Sequence, residues 1–392
     1  KPVKFHDGTD FNADAVKATF DRLLAPTRSG AAKLDFDGIV TGVEVIDQST
    51  VQFTLAKVFA PYLLRMAGSS AAIMSPAAIE KYGEDYGTNP IGCGPYKFVE
   101  YRKGDHVTLA RFEDYWNGPV PYDQIIYRIV PEDASRATLV QTGEVQVADR
   151  LSPVLAQTLQ NSADATVKED LTSRYVFFLL NQNRDLMKDI RVRQAVNYGV
   201  DKQAIVDNIL KGYGRVMTSP LSPVVEFHSP QEPYEYDPER AKRLLEEAGV
   251  EPGTPLTIWS PVGRYTSDKD FATAVQGMMA ELGFNATLRA IGDFPTYIAE
   301  LDTLDYDMAV WGWVAPDTDT GLNQTYSSRF AGIFPNWGSY SNPEVDALLD
   351  EAVATLDKDR QAELYAQAQK LIWEDAAHLS LHWQVHITGL SN

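Results

Sequence analysis

The sequence predicts an α/β chain of at least two lobes, and three observations carry that prediction. Between Leu256 and Trp313, strand-like segments alternate with helical ones, the pattern of a parallel sheet with right-handed crossovers. The length of 392 residues accommodates two or three domains at about 150 residues each. The first hundred or so residues read differently, as a helix and short antiparallel pairs, which sets them apart from the alternating region.

In chain order, Asn12 can cap a helix whose apolar residues Val16, Phe20, Leu23 and Leu24 recur at helical spacing. Ile39 to Ile46 and Val51 to Leu55 read as one hairpin, and Tyr96 to Arg111, turning at Lys103-Gly104-Asp105, as a second. The Gly-, Asn- and Pro-dense stretch Tyr82 to Pro95 marks a boundary between them. Ile125 to Val130, Ala134 to Thr142 and Val145 to Val147 suggest a βαβ unit. A strand is expected from Arg174 to Leu180. Asp189 then caps Ile190 to Tyr198, and Asp237-Pro238 opens a helix ending at Gly249. Strands near Leu256, Ala286 and Met308 alternate with helices Lys269 to Leu282 and Phe294 to Thr303. Two long helices, begun at Asn342-Pro343 and at Asp359, precede an alternating segment from His378 to Val385.

Composition narrows the function. Lys and Arg number 35 against 54 Asp and Glu, a net charge of −19, so nucleic acid and anionic membrane surfaces are not expected partners. A single cysteine, Cys93, permits no internal disulfide and does not decide the compartment. No window approaches the ~18 consecutive apolar residues of a membrane span.

Ligands of open α/β sheets bind beyond the carboxyl ends of the strands. That rule selects Ser260 to Tyr265 and Trp313 to Gly321. The second carries Trp311 and Trp313 on one strand face, Asp317 and Asp319, and then Asn323, Tyr326, Ser327 and Arg329. These residues suit either a polar organic ligand or a core with solvated caps. His378, His382 and His386 sit four apart, but on a strand four residues span about 13 Å, too far to share one ion. His6-Asp7-Gly8 reads as a turn. Gly92-Cys93-Gly94-Pro95 lacks the residues of a phosphate loop, and Cys93 has no basic neighbour in sequence to activate it. No catalytic group, metal or cofactor is indicated.

Several motifs are nevertheless familiar. Val3 to Thr9 with Phe11-Asn12-Ala13, Gly92 to Tyr96, Asp114-Tyr115-Trp116, Gly143-Glu144-Val145, Arg191 to Ala195, Trp311-Gly312-Trp313 and Tyr340 to Asp346 occur in family order. Together they resemble the family 5 solute-binding proteins, the peptide, nickel and glutathione receptors of ABC importers. The resemblance implies a two-lobed periplasmic-binding-protein-like fold of the class II, cluster C type, with an accessory domain in the first lobe and a chain truncated at both ends. By that analogy residues 1–91 form the accessory subdomain, 92–183 with 384–392 the main part of the first lobe, and 184–383 the second.

The implied function is non-enzymatic: capture of a short peptide or peptide-like solute between two closing lobes, and delivery to the permease subunits. A monomer is expected, periplasmic or extracellular, with a lipid anchor as one form of attachment. The alternatives are a secreted hydrolase of oligosaccharide or peptide, or a receptor for a nickel chelate, sugar or opine-like compound. The site is expected at Trp313, Asp317 and Asp319, with Arg264 and Tyr265 opposite, Trp311 and Asn323 beside them, and Tyr96 and Asn183 as further contacts. Hinge strands are expected near Asn181 to Asn183 and Leu381 to Trp383. Two departures bear on the ligand. Peptide receptors of this type place an aspartate where Pro316 stands here, one residue before Asp317, and dipeptide receptors use an arginine on the helix that here offers Lys269 and Asp270.

Overall fold

A computed structural model describes residues 2–27, 33 and 35–392. The chain falls into two compact units, Lys1–Pro131 and Glu132–Asn392.

In the first unit, Asn12 caps the helix Ala13–Leu23 by accepting the Ala15 N–H. The strands β1 (Val40–Asp47) and β2 (Thr50–Leu55) pair antiparallel. Phe20 packs edge-on against Phe36 and Phe53, so the helix and hairpin share a small aromatic core. A three-stranded antiparallel sheet follows, β3 (Tyr96–Arg102), β4 (His106–Arg111) and β5 (Gln124–Arg128). The Asp7 carboxylate accepts the Thr9 N–H and the hydroxyls of Thr9 and Ser75. His6 Nε2 lies 3.0 Å from the Gly94 carbonyl oxygen, and Gly8 turns at φ +85°. The dyad is thus a structural turn that ties residues far apart in sequence.

The second unit is built on a seven-stranded sheet. It contains β6 (Val147–Ala148), β7 (Ala165–Leu180), β8 (Gly214–Val216), β9 (Pro255–Pro261), β10 (Asn285–Ile291), β11 (Met308–Val314) and β12 (His378–Ser391). The order is β10-β9-β11-β7-β12-β6, with β8 on β12. The expected parallel arrangement holds for β10, β9 and β11, whereas β7 and β12 join antiparallel. Tyr175, Phe177 and Leu179 of β7 face one core, closed by the helices Pro343–Ala354 and Lys358–Glu374. Val176, Phe178 and Leu180 face another, closed by the helix Asp268–Glu281.

Sixteen residues of β7 and fourteen of β12 run side by side out of those cores into a third, around Ala165, Val385 and Ile387. Leu171 packs against both ends of that passage. The stretch shared by these cores lies near Leu171 to Arg174 and Gln384 to Val385.

Three sequence expectations are corrected. The βαβ unit does not form: β5 pairs with β4 in the first unit, while β6 pairs antiparallel with β12 in the second. The backbone of each strand is satisfied by a different sheet. The last helix is capped by Asp357, which accepts from Asp359 and Arg360, rather than by Asp359. Finally, His378 to Trp383 is buried on both faces, so the start of β12 does not alternate.

Candidate functional site

The carboxyl ends of β9 and β11 open beside one another, and two loops leave them. The loop after β9 is drawn tight by Asp268, whose buried carboxylate accepts the backbone N–H groups of Gly263, Arg264, Tyr265 and Lys269. Four charge-assisted bonds to one carboxylate fix the loop before any ligand arrives. Tyr265 turns inward, where its hydroxyl accepts the Gly312 N–H at 2.9 Å. Burial pushes the Tyr265 phenol above its ordinary range.

The other sheet face carries an aromatic row. Trp311 is buried, stacks parallel to Phe294 at 6.2 Å, and meets Trp337 edge-on at 5.0 Å. Trp313 is half-buried, stacks on Trp311 at 6.4 Å, and donates from Nε1 to the Thr320 carbonyl. Arg264 is exposed, with its guanidinium 4.5 Å from the Phe294 ring centre and 5.9 Å from that of Tyr265.

The acids do not line this row as expected. Asp317 is buried and caps the helix Thr318–Tyr326, accepting the Thr320 N–H at 2.7 Å and its hydroxyl at 2.9 Å. Asp319 is buried and accepts from Asn323 Nδ2. Asn323 in turn accepts from Arg329, which pairs with Asp350. These side chains hold the helix start.

Asn183 lies elsewhere. Leu180 of β7 pairs with Met308 and Arg174 with Val314, so Asn183 sits past the amino end of β11, roughly 20 Å or more along the ladder from Trp313. It donates to Ser339 Oγ at 2.6 Å. Tyr96 is half-buried on β3 of the first unit, opposite Arg111 in register.

One residue escaped the sequence reading. Arg174, half-buried, stands at the β11 carboxyl end with its guanidinium 6.0 Å from the Tyr265 ring centre. Burial pulls its pKa down, Tyr265 opposes that shift, and the positive charges of Arg264 and Arg150 add to it. The only sequence signal was a lone cation directly before the apolar run Tyr175 to Leu180.

Among the described residues no group of three or more His, Cys, Asp or Glu is placed to hold a metal ion, and no helix is long and apolar enough to cross a membrane. Burial raises the pKa of Cys93, which opposes a nucleophilic role.

The two sheet faces, the convergent loops and the preformed aromatic row define a two-lobed solute-binding protein of the periplasmic-binding-protein class. The profile of the bacterial extracellular solute-binding proteins, family 5 Middle, matches residues 1–333, and the chain belongs to that family. It is similar to the glutathione-binding protein GsiB of Salmonella typhimurium, 32% identical over 390 residues, covering 97% of this chain and 75% of the relative. Among solved structures, a dipeptide-binding protein from a Pseudoalteromonas species in complex with Met-Leu matches with a TM-score of 0.87 and 26% identity, over 100% of this chain and 82% of the other. The periplasmic binding protein DppA from Helicobacter pylori, in complex with the peptide STSA, has a TM-score of 0.88 at 24% identity, over 100% and 81% of the two chains. This is a transport protein of the ABC-importer type that acts outside the cytoplasm and delivers solute to a permease, not an enzyme.

Proposed function

We propose that the solute is a short peptide or peptide-like molecule, bound against Trp313 at the carboxyl end of β9 and β11. The observation that carries this reading is the preformed row Phe294, Trp311 and Trp313, the last of which is only partly buried, beside a loop fixed by Asp268. An apolar wall with a few placed polar groups suits a small polar organic ligand. The relatives support the same class, since they are receptors for glutathione and for peptides.

In this reading Trp311, Trp313 and Arg264 face or flank the solute, while Tyr265, Asp317, Asp319 and Asn323 hold the elements that present them. Residues 1–91 are the accessory subdomain, 92–183 with 384–392 the main first lobe, and 184–383 the second. The lobes close about the β7 and β12 passage. The protein works as a monomer in the periplasm or at the cell exterior, where a lipid anchor would keep it near its permease.

Calorimetric titration with glutathione, di- and tripeptides and oligosaccharides tests the reading. Saturable binding of a peptide or of glutathione is expected. Binding of sugars alone, or product formation from either pool, overturns it.

A further inference from the structure

A cavity of about 210 Å³ opens between helices of the second unit and shares no lining residue with the loops after β9 and β11. Gln194 and Tyr198 reach it from the helix Ile190–Tyr198, where their spacing puts them on one face. Tyr234 comes from the segment ahead of the helix Pro238–Glu247, and Trp373 and Glu374 end the helix Lys358–Glu374. Pockets for drug-sized ligands run about 300–1,000 Å³, so this one fits a smaller molecule.

Three aromatic rings wall the cavity in succession. Tyr198 meets Tyr234 edge-on at 4.9 Å, and Tyr234 meets Trp373 at 5.6 Å. Trp373 Nε1 donates to the Glu232 carbonyl at 2.8 Å, and the Tyr234 hydroxyl donates to the Trp373 carbonyl at 2.9 Å. With those polar edges committed to backbone, what the two rings offer a ligand is π surface. Glu232 and Glu374, both exposed, line the same cavity, and Glu374 meets only Lys370, at 3.8 Å. Aromatic faces and carboxylates attract the same kind of group, a cation. The cluster already holds one on its flank: the Arg240 guanidinium sits 4.0 Å from the Tyr198 ring centre, and Arg240 is not among the residues that line the cavity.

Tyr234 and Trp373 also wall a smaller chamber of about 10 Å³, which His378 lines from β12. It has room for about one water. His378 is buried, and neither of its ring nitrogens has a hydrogen-bond partner in the protein. Buried polar groups are nearly always paired, so packing leaves a polar demand at this place unmet. His378 pairs with Leu179 of β7 and Trp313 with Tyr175, about 13 Å apart along that strand.

We propose that the larger cavity is a second binding site, for a small organic cation of the methylated-ammonium class, held by the Tyr198, Tyr234 and Trp373 rings with Glu232 and Glu374 supplying negative charge. A methylated head is favoured over a primary ammonium because the walls present π surface rather than acceptors, and a quaternary nitrogen has no N–H to satisfy. The site is independent of the solute at the sheet end and is filled together with it.

The full chain is titrated calorimetrically with choline, with the uncharged carbon isostere of choline, and with ethanolamine. Choline is expected to bind saturably and about tenfold or more tightly than its isostere, the gain that a desolvated cation on aromatic faces supplies. Tyr198→Leu should weaken choline about tenfold, Tyr198→Phe should retain most of the affinity, and Glu232→Gln should weaken it about threefold, as for an exposed charge. Thermal melting checks that the variants fold, and the comparison of choline with its isostere on the parent needs no variant. Trp313→Ala should leave choline binding as it is. Loss of choline binding in Trp313→Ala places the cation at the sheet end and overturns the second site, as does unchanged affinity in Tyr198→Leu. Equal binding of choline and its isostere overturns the cationic assignment, and tighter binding of ethanolamine than of choline overturns the methylated class. Failure of choline to bind overturns the proposal outright.

Discussion

The Tyr265 hydroxyl and Gly312 are bonded twice, the hydroxyl accepting the glycine N–H at 2.9 Å and lying 3.3 Å from its carbonyl oxygen. The contact requires glycine, because a Cβ at position 312 would stand 2.6 Å from the Tyr265 ring. The Trp311-Gly312-Trp313 sequence therefore joins two demands: indoles on one face of β11 and a bare backbone on the other. Gly312→Ala should destabilise the protein by about 1–3 kcal/mol through overpacking, read as a lower urea midpoint.

Trp313→Ala should weaken solute binding by about 2 kcal/mol or more, because a partly buried indole on a preformed row supplies large contact area. Calorimetry with the best-binding peptide checks this. Unchanged affinity would move the site away from β11.

Asp317 should act on stability and not on charge selection. Asp317→Ala should cost about 1 kcal/mol through loss of the cap to Thr320, whereas Asp317→Asn retains most of it. Chemical denaturation measures the first difference. Equal affinity of parent and Asp317→Asn for a lysine-bearing peptide is the second expected result.

Stability should fall on mild acidification. Burial depresses the pKa of both His378 and His382 to about 3, from an ordinary 6.5. Between those values the unfolded chain binds protons that the folded chain refuses, so stability is full above pH 6.5 and declines as pH drops toward 3. Each histidine contributes a slope of about 1 kcal/mol per pH unit. Denaturation midpoints from pH 7 to 5 should shift accordingly, and His378→Phe, which keeps the stack on Phe177, should flatten the dependence.

Closure about the β7 and β12 passage should register as a decrease in radius of gyration when saturating ligand is added. Small-angle scattering that stays the same would place binding in a fixed cleft.

The sequence by itself determined what depends on neighbours within a few residues. Asn12, Asp189, Asp237 and Asn342 cap the helices they were expected to cap, because a cap needs only an acceptor and an N–H two or three positions on. The parallel run β9, β10 and β11 was legible from alternation, and the location of the two loops followed from it. The family motifs carried the class of protein.

Tertiary structure decided everything that depends on which strand pairs with which. Strand-like periodicity at Ile125 and Val147 could not tell one sheet from two, because pairing partners lie far away in sequence. The antiparallel register of β7 on β11 sends Asn183 to one end of the sheet and brings Arg174 to the other, beside Trp313's loop. Asp317 and Asp319 looked like ligands because an acid in a loop and an acid capping a helix have the same local sequence. Only the closed backbone geometry turns their carboxylates onto Thr320 and Asn323.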